Sequence, residues 1–276
     1  MTTPTEDGGG RPAMPPAVRR IAWVSVVLFW AVLAYLLVVQ RLPLLDGLLL
    51  SVLLVAAPGF STAQLPMIAL VPLERVPAYL SSIVTLWLLG TASWFVGTRA
   101  GGAAAVGLVG IPWASGALWA VGLTGGGLLT ILLFRQLAVG LGVEESAVLR
   151  QLLPRSDEER RAFGALSVAA GFGEEIAYRG YALTALVPML GVPGATVLTS
   201  VVFGVLHGYQ GLLGIARTGV MGGMLAWGFL ASGSLWPPIV AHTLIDLAAG
   251  LWLGERLMSP RRPVGVGGGS DRSPDS

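Results

Sequence analysis

Cysteine is absent from this chain of 276 residues. That excludes disulfides, thiolate metal sites and a cysteine nucleophile, and it leaves the redox compartment open. Lysine is absent as well, so every basic residue is an arginine and no lysine-bearing nucleotide loop of the G-x-x-x-x-G-K type can be present. Charge of either sign is scarce, at 12% of residues against 54% hydrophobic. A soluble domain carries about 25% charged residues, so the composition is that of a polytopic membrane protein. Histidine occurs only twice. The small net charge of +2, with arginines mostly between apolar runs, reflects membrane topology and gives no reason to expect a nucleic-acid partner.

What is plentiful is long apolar sequence. A spanning helix needs about 20 mostly apolar residues, and runs of that kind fall near 21–40, 44–70, 78–97, 113–134, 161–182, 193–210, 213–232 and 236–254. The expectation is an all-α transmembrane bundle of eight spans. With the N-terminus in the cytoplasm, Arg11, Arg19, Arg20, Arg75, Arg135, Arg150, Arg155, Arg160, Arg161, Arg217, Arg256, Arg261, Arg262 and Arg272 share one side. Only Arg41 and Arg99 fall on the other, and Arg179 lies within a span. This bias is the one the positive-inside rule describes, and it places both termini in the cytoplasm. Trp23 and Trp252 then sit near the inner face and Trp113 and Trp236 near the outer, as interfacial anchors do.

The chain divides accordingly into a polar tail at 1–20, four spans over 21–134, an amphipathic cytoplasmic segment at 135–160, a four-span core over 161–254 and a second tail at 255–276. Both tails are rich in Gly and Pro and are expected to be disordered. No apolar core and cleavage site precede Arg19 and Arg20, so no secretory leader is expected. Ser156 followed by Glu159 makes a capping box that starts the fifth helix near Asp157. The small-residue runs at 101–107 and 124–127 are expected to ease loop and helix packing.

The core collects ionisable residues at bilayer depth, where each costs about 2.5–3.5 kcal/mol on insertion scales. The fifth span carries Glu174, Glu175 and Arg179 in "GFGEEIAYRG"; the sixth carries Phe203 and His207 in "FGVLH"; the eighth carries His242 and Asp246 in "HTLID". Taken singly, each has a structural reading. A Glu–Arg pair clamps a helix, an isolated histidine or aspartate makes an interhelical hydrogen bond, and Phe203 packs. Asp46, near the outer end of the second span, keeps that reading. Together, six such residues on three helices, including both histidines, point to a shared site.

Helical spacing separates the two glutamates. Glu175 and Arg179 are four apart and face one another, which lets both stay charged as an ion pair. Glu174 points about 100° away and has no basic partner on its helix, so it is the carboxylate available as a general base. His242 and Asp246 are one turn apart, and Phe203 shares a face with His207. At 1.5 Å per residue, Glu174 lies roughly 18 Å in from Ala162, with His242 and Asp246 roughly 9 and 15 Å in from Trp236. These three meet at one depth. The same reckoning leaves His207 too close to the cytoplasm.

E-E-x-x-x-R, F-x-x-x-H and H-x-x-x-D, in that order on successive spans, resemble the motifs of the CAAX protease and bacteriocin-processing (Abi) family of intramembrane proteases. The stretch "AAGFGEEIAYRGY" is similar to its first motif beyond the charged residues, and the likeness extends over about 160–250. The resemblance implies an intramembrane endopeptidase of a bacterial plasma membrane, acting on a membrane-associated protein or peptide. It implies that Glu174 activates water with help from His207, that His242 and Asp246 polarise the scissile carbonyl and hold the oxyanion, and that Glu175, Arg179 and Phe203 support the site. Many relatives have asparagine at the position of Asp246. An ionised aspartate cannot donate to an oxyanion, so Asp246 is expected to be protonated, to orient His242, or to bind a metal.

A metal-free glutamate mechanism is the first expectation for the cofactor, with zinc held by Glu174, His207, His242 and Asp246 as the alternative. The H-E-x-x-H spacing of classical zinc proteases is absent, as are the G-x-S-G of a rhomboid-like serine site and the Y-D and G-x-G-D of an aspartyl pair. Two functions outside proteolysis use the same residues: a proton-coupled transporter with Glu, His and Asp as a relay, and a non-catalytic scaffold that retains a membrane protein.

Overall fold

The computed structural model describes residues 15–68 and 73–253, and among these the regular structure is all helical, with no strand. Helix α1, Pro16–Ala34, takes in the last five residues of the stretch expected to be a polar tail, with Pro16 at its first position. A proline there loses nothing, because that N–H has no partner within the helix. A π-helical turn, Tyr35–Val39, extends it. Helices α2, Leu44–Ser51, and α3, Ala57–Ile68, are joined through a π-helical Val52–Ala56 into one run, and α4 spans Arg75–Thr98. After a 3₁₀ turn at Gly102–Val106 comes α5, Trp113–Leu141. The expected ends of the second and eighth spans at 70 and 254, and both tails beyond 15–253, lie outside the described residues.

The amphipathic segment contributes a short helix α6, Ala147–Gln151, and then the start of α7, Asp157–Glu174. The capping box forms as the sequence implies: the Ser156 hydroxyl accepts from the Glu159 N–H, and the Glu159 carboxylate accepts from the N–H groups of Ser156 and Arg155 at 3.1 and 2.6 Å. Glu159 also pairs with Arg75 at 3.3 Å, joining the start of α4 to the start of α7.

Among the described residues, six segments are long and apolar enough to cross a membrane: Pro16–Val39, Leu44–Pro66, Arg75–Thr98, Trp113–Leu141, Asp157–Leu206 and Leu212–Ser232. The expected fifth and sixth spans are the two helical arms of Asp157–Leu206, joined at a sharp turn. That segment comprises α7, a π-helical Glu175–Leu183, and α8, Thr184–Leu206, folded back at Gly191 (φ 68°, ψ 168°). Arg179 and Phe203, each twelve residues from Gly191, pack against one another, so the two arms run side by side. A 3₁₀ turn, Gly208–Gln210, leads into α9, Leu212–Ser232. Helix α10, Trp236–Leu247, with a π-helical extension Ala248–Leu253, covers the expected eighth span.

The hairpin removes the depth discrepancy at His207. Glu174 lies seventeen residues before Gly191 and His207 sixteen after it, so the two are level on adjacent arms. The expected fifth span stopped at 182, whereas its helix continues to Gly191; the sixth, expected from 193, starts almost where the second arm does.

Burial is inverted relative to a soluble protein. Large apolar side chains such as Trp30, Val38, Leu88 and Leu118 face outward, as they would toward lipid, while Glu175 and Arg179 sit at 0% and 2% exposure inside. The interior is completed by Leu50, Leu53, Tyr178, Leu183, Phe203 and Ile239. Glycines set the helix crossings. A Cβ on Gly90 would lie 2.8 Å from the Gly173 backbone, and one on Gly171 would collide with Thr243 and the Ile239 carbonyl. Small residues of this kind let transmembrane backbones touch. They bring α7 against α4 on one side and α10 on the other. The run at 124–127 acts similarly, with Gly127 receiving Ile245 from α10.

Candidate functional site

The contact at Gly171 fixes where α10 meets α7. It brings His242 beside Glu174 and Glu175, which lie three and four residues further along their helix. Glu175 opens the π-helical stretch, where the backbone bonds i to i+5. Such segments are rare and collect at functional sites.

Glu175 is the anchor. Its Oε1 accepts from Arg179 Nη1 at 2.7 Å and from His242 Nδ1 at 2.8 Å. Arg179 donates its other amino group to the Gly222 carbonyl at 3.2 Å, and its guanidinium lies over the Phe203 ring with Cζ 4.2 Å from the centroid. Gly222 makes the room for this: a Cβ there would come within 3.2 Å of Nη2 and 3.4 Å of Phe203. The expected Glu175–Arg179 pair therefore forms, and Phe203 packs on Arg179 as well as on His207, at 4.8 Å between ring centroids.

Because an ionised carboxylate only accepts, the bond to Glu175 assigns a proton to His242 Nδ1. Nε2 then faces two carboxylates, Glu174 Oε2 at 3.6 Å and Asp246 Oδ2 at 3.7 Å. Both separations exceed a direct hydrogen bond, so a small polar group held between them could contact all three. Glu174 Oε2 is itself buried and has no hydrogen-bond partner; the same is true of the second oxygen of Glu175, but Glu174 Oε2 is the one that lies opposite His242 Nε2. An unpaired polar atom in that setting is costly, which marks it for a bound group.

His207 caps the end of α8 and bonds the Phe203 carbonyl through Nδ1 at 2.8 Å. With a carbonyl as partner, Nδ1 carries the proton and Nε2 is free as an acceptor. The expected residues thus come together on three helices: Glu174, Glu175 and Arg179 on α7 and its π-helical continuation, Phe203 and His207 on α8, and His242 and Asp246 on α10. Among the described residues, no group of three or more histidines and carboxylates is arranged to hold a metal ion. The Nδ1 bonds of both histidines leave Nε2 as the open nitrogen, the one that ligating histidines commonly use. Asp46, left as structural, pairs with Arg99 and accepts from the Tyr181 hydroxyl at 3.2 Å, far along the helix from Glu174.

Several contributors carry no sequence signal of comparable strength. Tyr178 donates to the Leu53 carbonyl at 3.1 Å and stacks edge-on against Phe203 at 5.6 Å. Gly171 and Gly222 look like ordinary small residues among many. Tyr209 lies just past the end of α8, where helical spacing says nothing, yet its ring is 5.9 Å from that of His207.

A helical membrane bundle holding a buried carboxylate–imidazole cluster is, as a class, suited to hydrolysis inside the bilayer. Residues 159–248, about a third of the chain, match the family model described as type II CAAX prenyl endopeptidase Rce1-like. They carry an Rce1-like domain, consistent with the CAAX protease and bacteriocin-processing family, and such a domain implies a CAAX-type intramembrane endopeptidase. No curated protein and no solved structure matches the chain. The matched interval spans every residue of the cluster from Glu174 to Asp246 and nearly coincides with the 160–250 expected from the motifs.

Proposed function

We propose that this protein hydrolyses a peptide bond in a membrane-associated protein or peptide, with Glu174 as the general base. The observation that carries the reading is the unpaired, buried Glu174 oxygen facing a histidine whose other nitrogen is fixed by Glu175. Glu174 takes a proton from water as the water oxygen bonds to the scissile carbonyl carbon, and the carbonyl oxygen becomes an oxyanion. When that intermediate collapses, the C–N bond breaks and the proton passes from Glu174 to the leaving nitrogen. His207, held through Nδ1, helps to position the water through Nε2. His242, with Nε2 protonated, donates to the oxyanion while Glu175 keeps its ring in place. Of the roles open to Asp246, orienting and balancing the charge of His242 is favoured by its place one turn along α10.

The glutamate takes the proton and the imidazole carries the charge, so no step is routed through a metal. The family description favours a prenylated protein tail as the substrate, with an unprenylated leader peptide or membrane segment as the alternatives.

The test compares peptide termini in membranes from cells expressing wild type or Glu174→Gln at matched levels. Termini that appear with wild type and vanish with Glu174→Gln are the expected result, and they name the substrate. Identical termini with both proteins folded would overturn the assignment. Loss of solute flux in Glu174→Gln without any cleavage would support the relay reading, and a function indifferent to the substitution would support the scaffold.

A further inference from the structure

Past the end of α8, the 3₁₀ turn Gly208–Gln210 holds a chain of polar contacts that the cluster above does not use. Arg217 of α9 bonds Glu145 from the loop before α6 at 3.1 Å and, through its other amino group, the Gln210 Oε1 at 3.0 Å. The Thr218 hydroxyl donates to the same oxygen at 3.2 Å. With two donors on its oxygen, the Gln210 amide has one orientation, and its NH₂ points to the Tyr209 hydroxyl at 3.3 Å. The hydroxyl oxygen is thereby an acceptor from Gln210, which frees the O–H proton to be donated elsewhere.

The ring that carries this hydroxyl lies beside His207. Burial pushes the Tyr209 hydroxyl up to about 12; Gln210 opposes this, and the Asp246 and Glu174 carboxylates push further in the same direction. A phenol is neutral at physiological pH, so its proton is available to donate. Glu145, Arg217 and Gln210 account for one another, but nothing in their packing accounts for a donor held at this end of the site.

We infer that Tyr209 is a further catalytic residue, its hydroxyl held by the Glu145–Arg217–Gln210 relay so that it donates a hydrogen bond to the substrate carbonyl oxygen as negative charge develops there. The inference rests on the endopeptidase reading. A donor used in this way acts on the transition state and has little effect on ground-state binding.

The assay uses purified protein in liposomes and an internally quenched peptide ending in a prenylated CAAX sequence, or the Glu174-dependent substrate identified from membrane termini. Tyr209→Phe keeps the ring against His207 and removes only the hydroxyl. It should lower kcat by roughly 10²–10³-fold, the usual cost of losing one oxyanion donor, with KM within about twofold. Gln210→Leu removes the orienting amide and should lower kcat less. In the Tyr209→Phe background it should have no further effect, since the group it orients is gone. Unchanged kcat in Tyr209→Phe overturns the inference, and so do strictly additive effects of the two substitutions. If Tyr209→Phe fails to fold, an undiminished kcat in Gln210→Leu overturns it and a reduced kcat supports it. Cleavage that persists in Glu174→Gln brings down the endopeptidase reading and this inference with it. Cleavage that needs Glu174 and ignores Tyr209 refutes the inference alone.

Discussion

At the scale of single residues, the two adjacent glutamates divide their work through their partners. Glu175 is fully buried and shares one oxygen between Arg179 and His242; its second oxygen and Glu174 Oε2 both lack a partner, and Glu174 Oε2 lies opposite His242 Nε2. Removing one member of a buried ion pair strands the other charge and costs about 3–5 kcal/mol. Arg179→Met should therefore destabilise the protein by about that amount in an equilibrium unfolding titration in micelles. A loss below about 1 kcal/mol would show that His242 alone satisfies Glu175. This part of the site was legible in the sequence, because charge in an apolar run and a spacing of four are both visible there. The link from Glu175 to His242 was not, since it joins residues 67 apart and depends on how α7 and α10 cross. Gly171 sets that crossing, and one glycine among 39 gives no sign of it.

At the scale of helices, the main departure from the sequence reading is the hairpin at Gly191. Apolar periodicity locates spans but cannot say how far a helix runs before it turns, so the fifth span was ended nine residues short of the turn at Gly191, with His207 left at the wrong depth. The π-helical register after Glu174 is equally invisible, because i to i+5 bonding leaves no compositional trace. At φ 68° and ψ 168°, Gly191 occupies a region open essentially to glycine alone, and a side chain there costs on the order of 1–3 kcal/mol. Gly191→Ala should lower stability by that amount. Gly122→Ala is the counterpart. Gly122 is exposed in the middle of α5 with nothing near its missing Cβ, and alanine there should raise stability by roughly 0.5–1 kcal/mol. Thermal unfolding of the two variants should shift in opposite directions. Two shifts of the same sign would show that Gly191 is not held in this conformation.

At the scale of the whole molecule, the ion pairs sort into two ends. Arg75 with Glu159, Arg217 with Glu145, and the Tyr79 hydroxyl with the Leu152 carbonyl join the loops at one end of the bundle. Asp46, Arg99 and Tyr181 meet at the other. This partition agrees with the one drawn from arginine counts, where Arg99 was one of two arginines set apart from the rest. Which end faces the cytoplasm decides from which side a substrate reaches Tyr209 and His207, and the charge bias predicts that this end lies inside. The absence of native cysteine makes the question directly measurable. Arg155 is exposed just before α7, and Gly110 is exposed just before α5 with open space around its Cα. Arg155→Cys should react with a membrane-impermeant maleimide only in inside-out vesicles, and Gly110→Cys only in intact cells. The reverse pattern would invert the orientation and open the site toward the outside. Labelling of both from one side would mean that α5 does not cross the bilayer, so the polar end that holds the Tyr209 relay would no longer be separated by the membrane from the end that holds Arg99.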